Sequence, residues 1–443
     1  MIAVQEKKNT VSSQFSQLAG EVENFGPAGL RKLRADALAQ FENLGFPTSR
    51  NEDWKYTNLS TLAKTNFRLA TAPAPGELTL ERLEAAVLPL GSHQRLVFCN
   101  GFFVPELSRV DRLPKGVVAA SLAAAVVEQA KLVEPHLGRF GGDQAFTALN
   151  TAFLRDGAFV HVPRGIIVED PIYLINVSTG GTASFANSRN LIVAEEASQV
   201  RLVEYYASLE SGVTFTNTVT EIVAGANAVV DHYKVQRENV ETFHIASTYV
   251  ELERGTNVSS QLISLGGGLV RNDTRARLGA EGGCCTLNGL YLGTGRQHID
   301  NHTEIDHALP LCQSHELYKG VLDDHAHGVF NGKIFVREDA QKTDAKQTNQ
   351  TLLLSDTAVI DTKPQLEIFA DDVKCTHGAT VGQLSDESIF YLRSRGIGLS
   401  EARSLLTFAF ANDIVSRIQV EPIRAQLQDV LLVRQHLPAA EEA

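Results

Sequence analysis

Strand-forming apolar residues recur in one regular unit between residues 156 and 384. In each unit an apolar strand runs into a short turn of small or acidic residues, and a second strand leaves that turn. The first four turns are centred near Ala197, Gly225, Gly255 and Glu281. Their spacing of about 26 to 30 residues is typical of solenoids. The next clear turn lies farther off, near Ala326, which predicts that at least one intervening unit is less regular.

Stacked coils explain this pattern best. Each unit can bury one face only by stacking on the next, with strands of successive coils paired in parallel. Small residues suit the tight corners, and Val, Ile, Leu, Tyr and Phe suit the flat faces. An antiparallel sandwich is the alternative, but it predicts turns about every 8 to 12 residues and more two-residue hairpins. We therefore predict a mainly β fold, with a right-handed parallel β-helix core over residues 156–384.

The N-terminal region, residues 1–155, has a mainly helical pattern. Apolar residues recur at helical spacing over 29–41, and the segments 79–90 and 118–137 are rich in Ala, Leu and Glu. Leu96–Val104 is a candidate β-hairpin with an Asn-Gly turn. This region is predicted to be a mixed, mainly helical flank of the solenoid.

Helical periodicity returns in residues 385–443. Ser385 opens one helical run, and Ser400 is the predicted N-cap of a second. The last coil of a solenoid exposes strand edges and apolar core, and something has to cap it. We predict that these C-terminal helices do so.

Composition narrows the class of protein. The chain has 443 residues, 43% of them hydrophobic, and a formal net charge of −12. The acidic balance argues against nonspecific binding to nucleic acid or anionic membranes. No apolar run reaches the roughly 18 residues of a membrane span, and the N-terminus MIAVQEKKNTVSSQ has no apolar signal-peptide core. We expect a cytoplasmic protein.

Motifs of common enzymes are absent from the sequence. There is no P-loop, no G-x-S-x-G elbow and no HExxH motif. The five cysteines are odd in number and form no C-x-x-C pair, so neither a disulfide framework nor a structural zinc site is predicted. We therefore do not expect the chain to hydrolyse ATP itself.

Histidines are concentrated between residues 298 and 327. They are His298, His302, His307, His315, His325 and His327. Together with Asp300, Glu304, Asp306 and Cys312 they could supply metal ligands, although the spacing matches no tight ligand pattern. Residues one coil apart stack in a solenoid, so a ladder of hydrogen-bonded polar side chains is the favoured alternative. The sequence leaves the role of this cluster open.

A second candidate site is the sequence Cys375-Thr376-His377 near the end of the predicted solenoid. Two residues apart on a strand, the thiol and the imidazole would face the same side. Such a pair could bind a metal or tune a nucleophilic thiol. The structural alternative, in which both side chains only pack, is favoured when the motif is taken alone.

Several longer motifs resemble the SufB/SufD family of iron–sulfur cluster assembly scaffold proteins. The segments that carry the resemblance are Asn51–Thr57, Leu287–Tyr291, Phe330–Ile334, Asp371–Gly382 and Phe390–Ile397. The resemblance covers most of the chain from about residue 45. Trp54 and Tyr56 of the first motif are expected to pack and to seat the N-terminal helices.

Two departures make the chain more similar to the SufD members than to the SufB members. The SufB pattern has cysteines near the positions of Asn349-Gln350 and Ala358, where this chain has none. SufB also has a Glu-His-Glu element where this chain has Thr376-His377-Gly378. Both acidic residues are missing, whereas the histidine is retained.

The resemblance implies a non-catalytic scaffold subunit that works in a complex. It implies that the late β-helix strands pair with SufB and that the region from residue 385 docks SufC, the ATPase subunit. His377, and Cys375 as a second candidate, would then hold a transient iron–sulfur cluster at the SufB interface and contribute to iron acquisition. No tightly bound cofactor is expected in the chain alone, and a homodimer is possible in isolation.

Two alternatives stay open. One is a SufB-like scaffold that assembles a cluster by itself, against which the missing cysteines argue. The other is a β-helix carbohydrate-active enzyme, which would need paired carboxylates or a calcium site, and usually secretion.

Overall fold

A parallel β-helix forms the centre of the molecule in the computed structural model, which describes residues 15, 17–22 and 26–434. The strands are β1 (Arg68–Leu69), β2 (Gln94–Cys99), β3 (Phe102–Phe103), β4 (Val118–Ser121), β5 (Ala158–Val162), β6 (Ile172–Ser178), β7 (Gly181–Ala194), β8 (Gln199–Ser208), β9 (Gly212–Ala224), β10 (Val229–Arg237), β11 (Phe243–Leu252), β12 (Asn257–Ser264), β13 (Leu269–Leu278), β14 (Cys284–Gly293), β15 (His298–His307), β16 (Gln313–Leu322), β17 (His327–Val336), β18 (Asp344–Leu353), β19 (Val359–Ile368) and β20 (Lys374–Gly382). The helices are α1 (Ala28–Leu44), α2 (Ser60–Lys64), α3 (Leu80–Ala86), α4 (Leu122–Glu128), α5 (Ala130–Val133), α6 (Ala145–Ala152), α7 (Asp386–Ser394), α8 (Leu399–Val415) and α9 (Glu421–Arg434).

Two sheets face each other across the solenoid interior. The odd-numbered strands from β5 to β19 form sheet A, and the even-numbered strands from β6 to β20 form sheet B. All neighbours within these two series pair in parallel, which confirms the β-helix and rules out the antiparallel sandwich for this core. Register partners in successive coils of sheet A are Phe215, Phe243, Leu269, His298 and His327.

The prediction of a less regular unit after Glu281 is wrong. Strands β15 and β16 complete a coil there with ten residues each. Their connecting turn is Ala308-Leu309-Pro310-Leu311-Cys312, in which Leu311 has a φ of 63°. This turn contains neither glycine nor an acidic residue, so the composition pattern missed it. Ala326 belongs to a turn from sheet B back to sheet A, on the opposite side of the coil.

The predicted Asn-Gly hairpin is confirmed. Strands β2 and β3 pair antiparallel, and Asn100 and Gly101 both have positive φ, at 55° and 82°, as a two-residue turn of this kind requires. Strand β2 also pairs in parallel with β6, so the hairpin begins sheet B. The start of the solenoid thus uses residues from the N-terminal flank.

One predicted helix starts four residues too early. Residues 118–121 form strand β4, which pairs antiparallel with β5, and the helical segment begins only at α4. Ser121 ends the strand and caps the helix, since its side chain accepts a hydrogen bond from the Ala124 backbone N–H. The helical runs predicted at 29–41 and 79–90 are confirmed as α1 and the shorter α3.

Helices cover the outer faces of both sheets. On sheet A, α1 and α6 pack through an aromatic cluster that includes Phe41, Phe146 and Phe215. On sheet B, α8 and α9 pack through Ile414 and Leu427 on the apolar outer residues. None of the described helices is long and apolar enough to cross a membrane.

The C-terminal helices do not cap the last coil, contrary to the prediction. They lie along the side of sheet B, and β20 is exposed over nearly its whole length. The helical run predicted to open at Ser385 is confirmed as α7, and Ser385 is its N-cap, accepting a hydrogen bond from the Ser388 N–H. Helix α8 begins at Leu399 with Gly398, rather than the predicted Ser400, as its N-cap residue. The N-terminal 14 residues, on which the expectation of no signal peptide rests, lie outside the described residues, as do 435–443.

Buried charges lie between the two sheets in the early coils. Glu204 accepts hydrogen bonds from the hydroxyls of Thr220, at 2.6 Å, and Tyr206, at 2.9 Å, and its carboxylate lies 3.1 Å from the ring of His232. Burial alone would raise the pKa of the Glu204 carboxyl, but the hydrogen bond and charge of His232 and the charge of Lys234 lower it to about 2. The network holds an ionised carboxylate in the core.

This network predicts acid sensitivity. An unfolded glutamate has a pKa of about 4.3, so ionised Glu204 stabilises the folded state above about pH 5, and this contribution is lost as the pH falls towards 2. The free energy of unfolding should therefore fall with acid by on the order of 3 kcal/mol less in Glu204→Gln than in the wild type. Urea unfolding between about pH 3 and pH 7 measures this. A variant whose stability falls as steeply with acid as that of the wild type would contradict the assignment.

Candidate functional site

Cys375 and His377, the two predicted site residues, lie on β20, the last strand of sheet B. Their register partners on β18 are Ala345 and Gln347, both of which are buried. Because side chains alternate along a strand, Cys375 and His377 share the face that in earlier coils points into the solenoid. No coil follows β20, so this inward face is open at the end of the described solenoid.

Cys375 has the surroundings of a packing residue. It lies half-buried against an apolar cluster that includes Ile334, Val336 and Ala345. Burial raises the pKa of its thiol, and the charge of Asp344 acts in the same direction. Since the thiolate is the form that binds metal, this environment disfavours Cys375 as a ligand unless a partner changes it.

His377 is exposed. Its imidazole makes no hydrogen bond or ion pair with any residue that the structure describes. Its register partner in the preceding coil, Gln347, is buried, whereas His377 itself is open to solvent. His377 is therefore available to a molecule that docks on the end of the solenoid.

The end of the solenoid also presents two open strand edges. β19 and β20 are terminal in their sheets, each with one strand neighbour in the described chain. Apolar side chains are exposed around these edges, namely Val359, Phe369 and Val381. Unpaired backbone groups next to apolar side chains form a template for another chain.

The histidine cluster forms a ladder of polar side chains on sheet A. His298 and His327 are register partners with ring centroids 4.7 Å apart, and His327 lies 2.8 Å from the carboxylate of Asp361. His302 pairs with Asp300 at 3.0 Å. Burial lowers the pKa of His298 to about 4. Across the described ranges, no three His, Cys, Asp or Glu side chains come together in a group that could hold a metal ion.

The Asn51–Thr57 motif is seated on the outer face of sheet A. The ring of Trp54 covers the guanidinium of Arg271 at 3.8 Å, and Arg271 also donates to the backbone carbonyl of Asp53. Thr57 donates to the carboxylate of Asp300, which is itself paired with Arg271 at 2.8 Å. The packing role expected for Trp54 is confirmed. Arg271 and Asp300 were not singled out as its partners because they are far away in the sequence.

Helix α7 presents a second exposed apolar surface. It buries none of its residues, and Phe390 is 74% exposed, with Tyr391 beside it. Both belong to the Phe390–Ile397 motif. Large aromatic side chains that a short helix leaves in solvent are typical of a protein–protein contact.

Comparison with known proteins identifies the family. Residues 175–410 match the family model described as "SUF system FeS cluster assembly, SufBD core domain", and residues 5–174 match "SufBD protein N-terminal region". The chain is 35% identical over 414 residues to an iron–sulfur cluster assembly SufBD family protein of Synechocystis, covering 91% of this chain and 90% of that protein.

Proteins named SufD are also among the relatives. The iron–sulfur cluster assembly protein SufD of Escherichia coli is 32% identical over 404 residues, with 90% of this chain and 92% of that protein covered. SufD of Bacillus subtilis is 29% identical over 419 residues, with 91% and 94% covered. Together with the parallel solenoid, these matches show that the chain belongs to the SufBD family of iron–sulfur cluster assembly proteins.

Proposed function

We propose that this chain is a non-catalytic scaffold subunit of SUF iron–sulfur cluster assembly, and that it pairs with a SufB partner through the end of its solenoid. The observation that carries the proposal is the open last coil. Its strands β19 and β20 have unpaired edges, and β20 carries the exposed His377. The names of the SufD relatives support the assignment to this process.

His377 supplies one ligand, and a cluster needs more. A neutral imidazole is a good ligand for iron through one ring nitrogen. Iron–sulfur clusters are held mainly by thiolates, and burial raises the pKa of the neighbouring Cys375 thiol, which disfavours its thiolate form. The remaining ligands therefore come from the partner, and the nascent cluster, the cargo of the complex, is built between the two subunits.

The region from residue 385 is proposed to dock the SufC ATPase. This chain has no P-loop, so the energy of nucleotide hydrolysis has to enter through another subunit. The exposed aromatic side chains of α7 are the surface that we assign to this contact. Since α7 follows β20 after a short connection, movement of a bound ATPase would be transmitted directly to the coil that carries His377.

We expect His377→Ala to abolish cluster formation without breaking the complex. The variant is co-expressed with SufB and SufC, and iron, sulfide and subunit content are measured in one purification. The imidazole is exposed, so its loss should cost the fold little. Thr376→Ala, an exposed neighbour on the opposite face of β20, is the matched control and should retain the cluster.

The two readouts separate the claims. An intact complex with normal cluster content in His377→Ala would remove His377 from the chemistry. Failure of the wild-type chain to co-purify with SufB would overturn the scaffold proposal itself.

A further inference from the structure

A column of polar side chains runs into the solenoid beneath His377. Glu316 on β16, Gln347 on β18 and His377 on β20 are register partners in three successive coils of sheet B. Neighbouring strands lie about 4.8 Å apart, so side chains at the same register and on the same face are neighbours. The first two are buried, and only His377 reaches solvent.

The side chain of Gln347 is held by Glu316 of the preceding coil. Its side chain is 1% exposed, and its amide nitrogen donates a hydrogen bond of 2.7 Å to the carboxylate of Glu316. This bond directs the amide nitrogen away from the open end of the solenoid. The amide oxygen, Oε1, is buried and has no hydrogen-bond partner in the described chain. Buried acceptors of this kind are rarely left unpaired in folded proteins.

Strand β17 leaves space for this amide. A Cβ atom at Gly332 would lie 2.3 Å from the Gln347 amide nitrogen and 2.7 Å from its Cδ atom. Any other residue at this position would therefore displace the Gln347 side chain. Gly332 belongs to the Phe330–Ile334 motif, so the glycine of that motif has a physical role in placing the amide.

We propose that Gln347, anchored by Glu316, is the positioning residue of His377. Its free Oε1 accepts the N–H of one imidazole nitrogen, which fixes the tautomer and turns the other, unprotonated nitrogen towards the docked partner. Metal-binding histidines commonly have their second nitrogen held in this way. The inference rests on the proposed function, because it assigns to His377 the role of a ligand.

The test is the tautomer ratio of His377 in the isolated full-length chain. The protein is labelled with ¹⁵N-histidine, and the His377 signals are assigned by their loss in His377→Gln. We expect Gln347→Leu to change the tautomer ratio by on the order of threefold to tenfold, the equilibrium worth of one ordinary hydrogen bond. Gly332→Ala, which displaces the amide, should change the ratio in the same direction.

Asn349→Leu is the matched control. Asn349 is buried on the same strand, faces the same way and also has an unpaired amide oxygen, but its register partner is Ala379. Its loss should leave the His377 signals unchanged. Equal ratios in the wild type and Gln347→Leu would overturn the proposal. Gln347→Met, which retains the side-chain length, replaces the leucine variant if that protein does not fold.

Cluster content in the co-expressed complex separates this inference from the proposed function. We expect Gln347→Leu to reduce iron retention about 10-fold to 100-fold, as for other residues that orient a metal ligand. If His377→Ala loses the cluster while Gln347→Leu leaves the tautomer ratio unchanged, the function stands and the positioning role is wrong. If the ratio changes while His377→Ala retains the cluster, the hydrogen bond is real but His377 is no ligand.

Discussion

Replacing Arg189 with methionine is expected to lower the free energy of unfolding by about 3 to 5 kcal/mol. Arg189 and Glu221 are both fully buried, with the guanidinium and carboxylate joined at 2.8 and 2.9 Å by two parallel contacts. The substitution leaves the Glu221 carboxylate buried without its cation, and this uncompensated charge carries most of the cost. Urea unfolding followed by circular dichroism measures the change.

The double variant Arg189→Met/Glu221→Leu provides the control. It removes both charges and puts apolar groups in their place, so most of the lost stability should return. A stability of Arg189→Met within about 0.5 kcal/mol of the wild type, the usual effect of a surface substitution, would show that this ion pair does not hold β7 and β9 beneath α6.

Trp54→Ala is expected to cost about 3 to 5 kcal/mol, in the range of large-to-small aromatic substitutions in cores. The indole covers the guanidinium of Arg271, and its ring centroid lies 5.2 Å from that of Phe146. Its loss therefore opens a cavity and exposes the buried guanidinium to water. Trp54→Phe retains an aromatic face and should lose much less. Because Trp54 is the only tryptophan, unfolding has to be followed by circular dichroism rather than by its fluorescence. Similar losses in both variants would contradict a specific role for the aromatic face.

The β-helix could be predicted because its determinants are local. Turn residues at a fixed repeat and apolar strands between them specify a coil without knowledge of distant contacts. The same reliance on turn composition explains why the coil of β15 and β16 was missed, since Leu311 adopts its positive φ in an apolar turn. Likewise Ser121 ends a strand and begins a helix within one residue, a change that a periodicity window averages away.

The site could be predicted only in part. The spacing of Cys375 and His377 placed both on one face of a strand, but it contained no information on burial. The structure shows that the Cys375 thiol is packed against apolar side chains, whereas the His377 imidazole is exposed. Gln347 and Glu316 carry no sequence signal that links them to His377, because their proximity arises from register across coils. The position of α8 and α9 is likewise a result of tertiary packing.

The two ends of the solenoid, as far as the structure describes them, differ in the strand edge that they expose. At the early end, the sheets finish in the short antiparallel strands β3 and β4, which offer little edge to a further chain. At the late end, β19 and β20 are long and open. Only one end of such a solenoid exposes strand edges to which another chain can add, so the addition of one chain leaves no further edge of this kind. Under the proposed function, association through this end gives pairs rather than filaments, so a surplus of this chain over its partner is not expected to seed fibres.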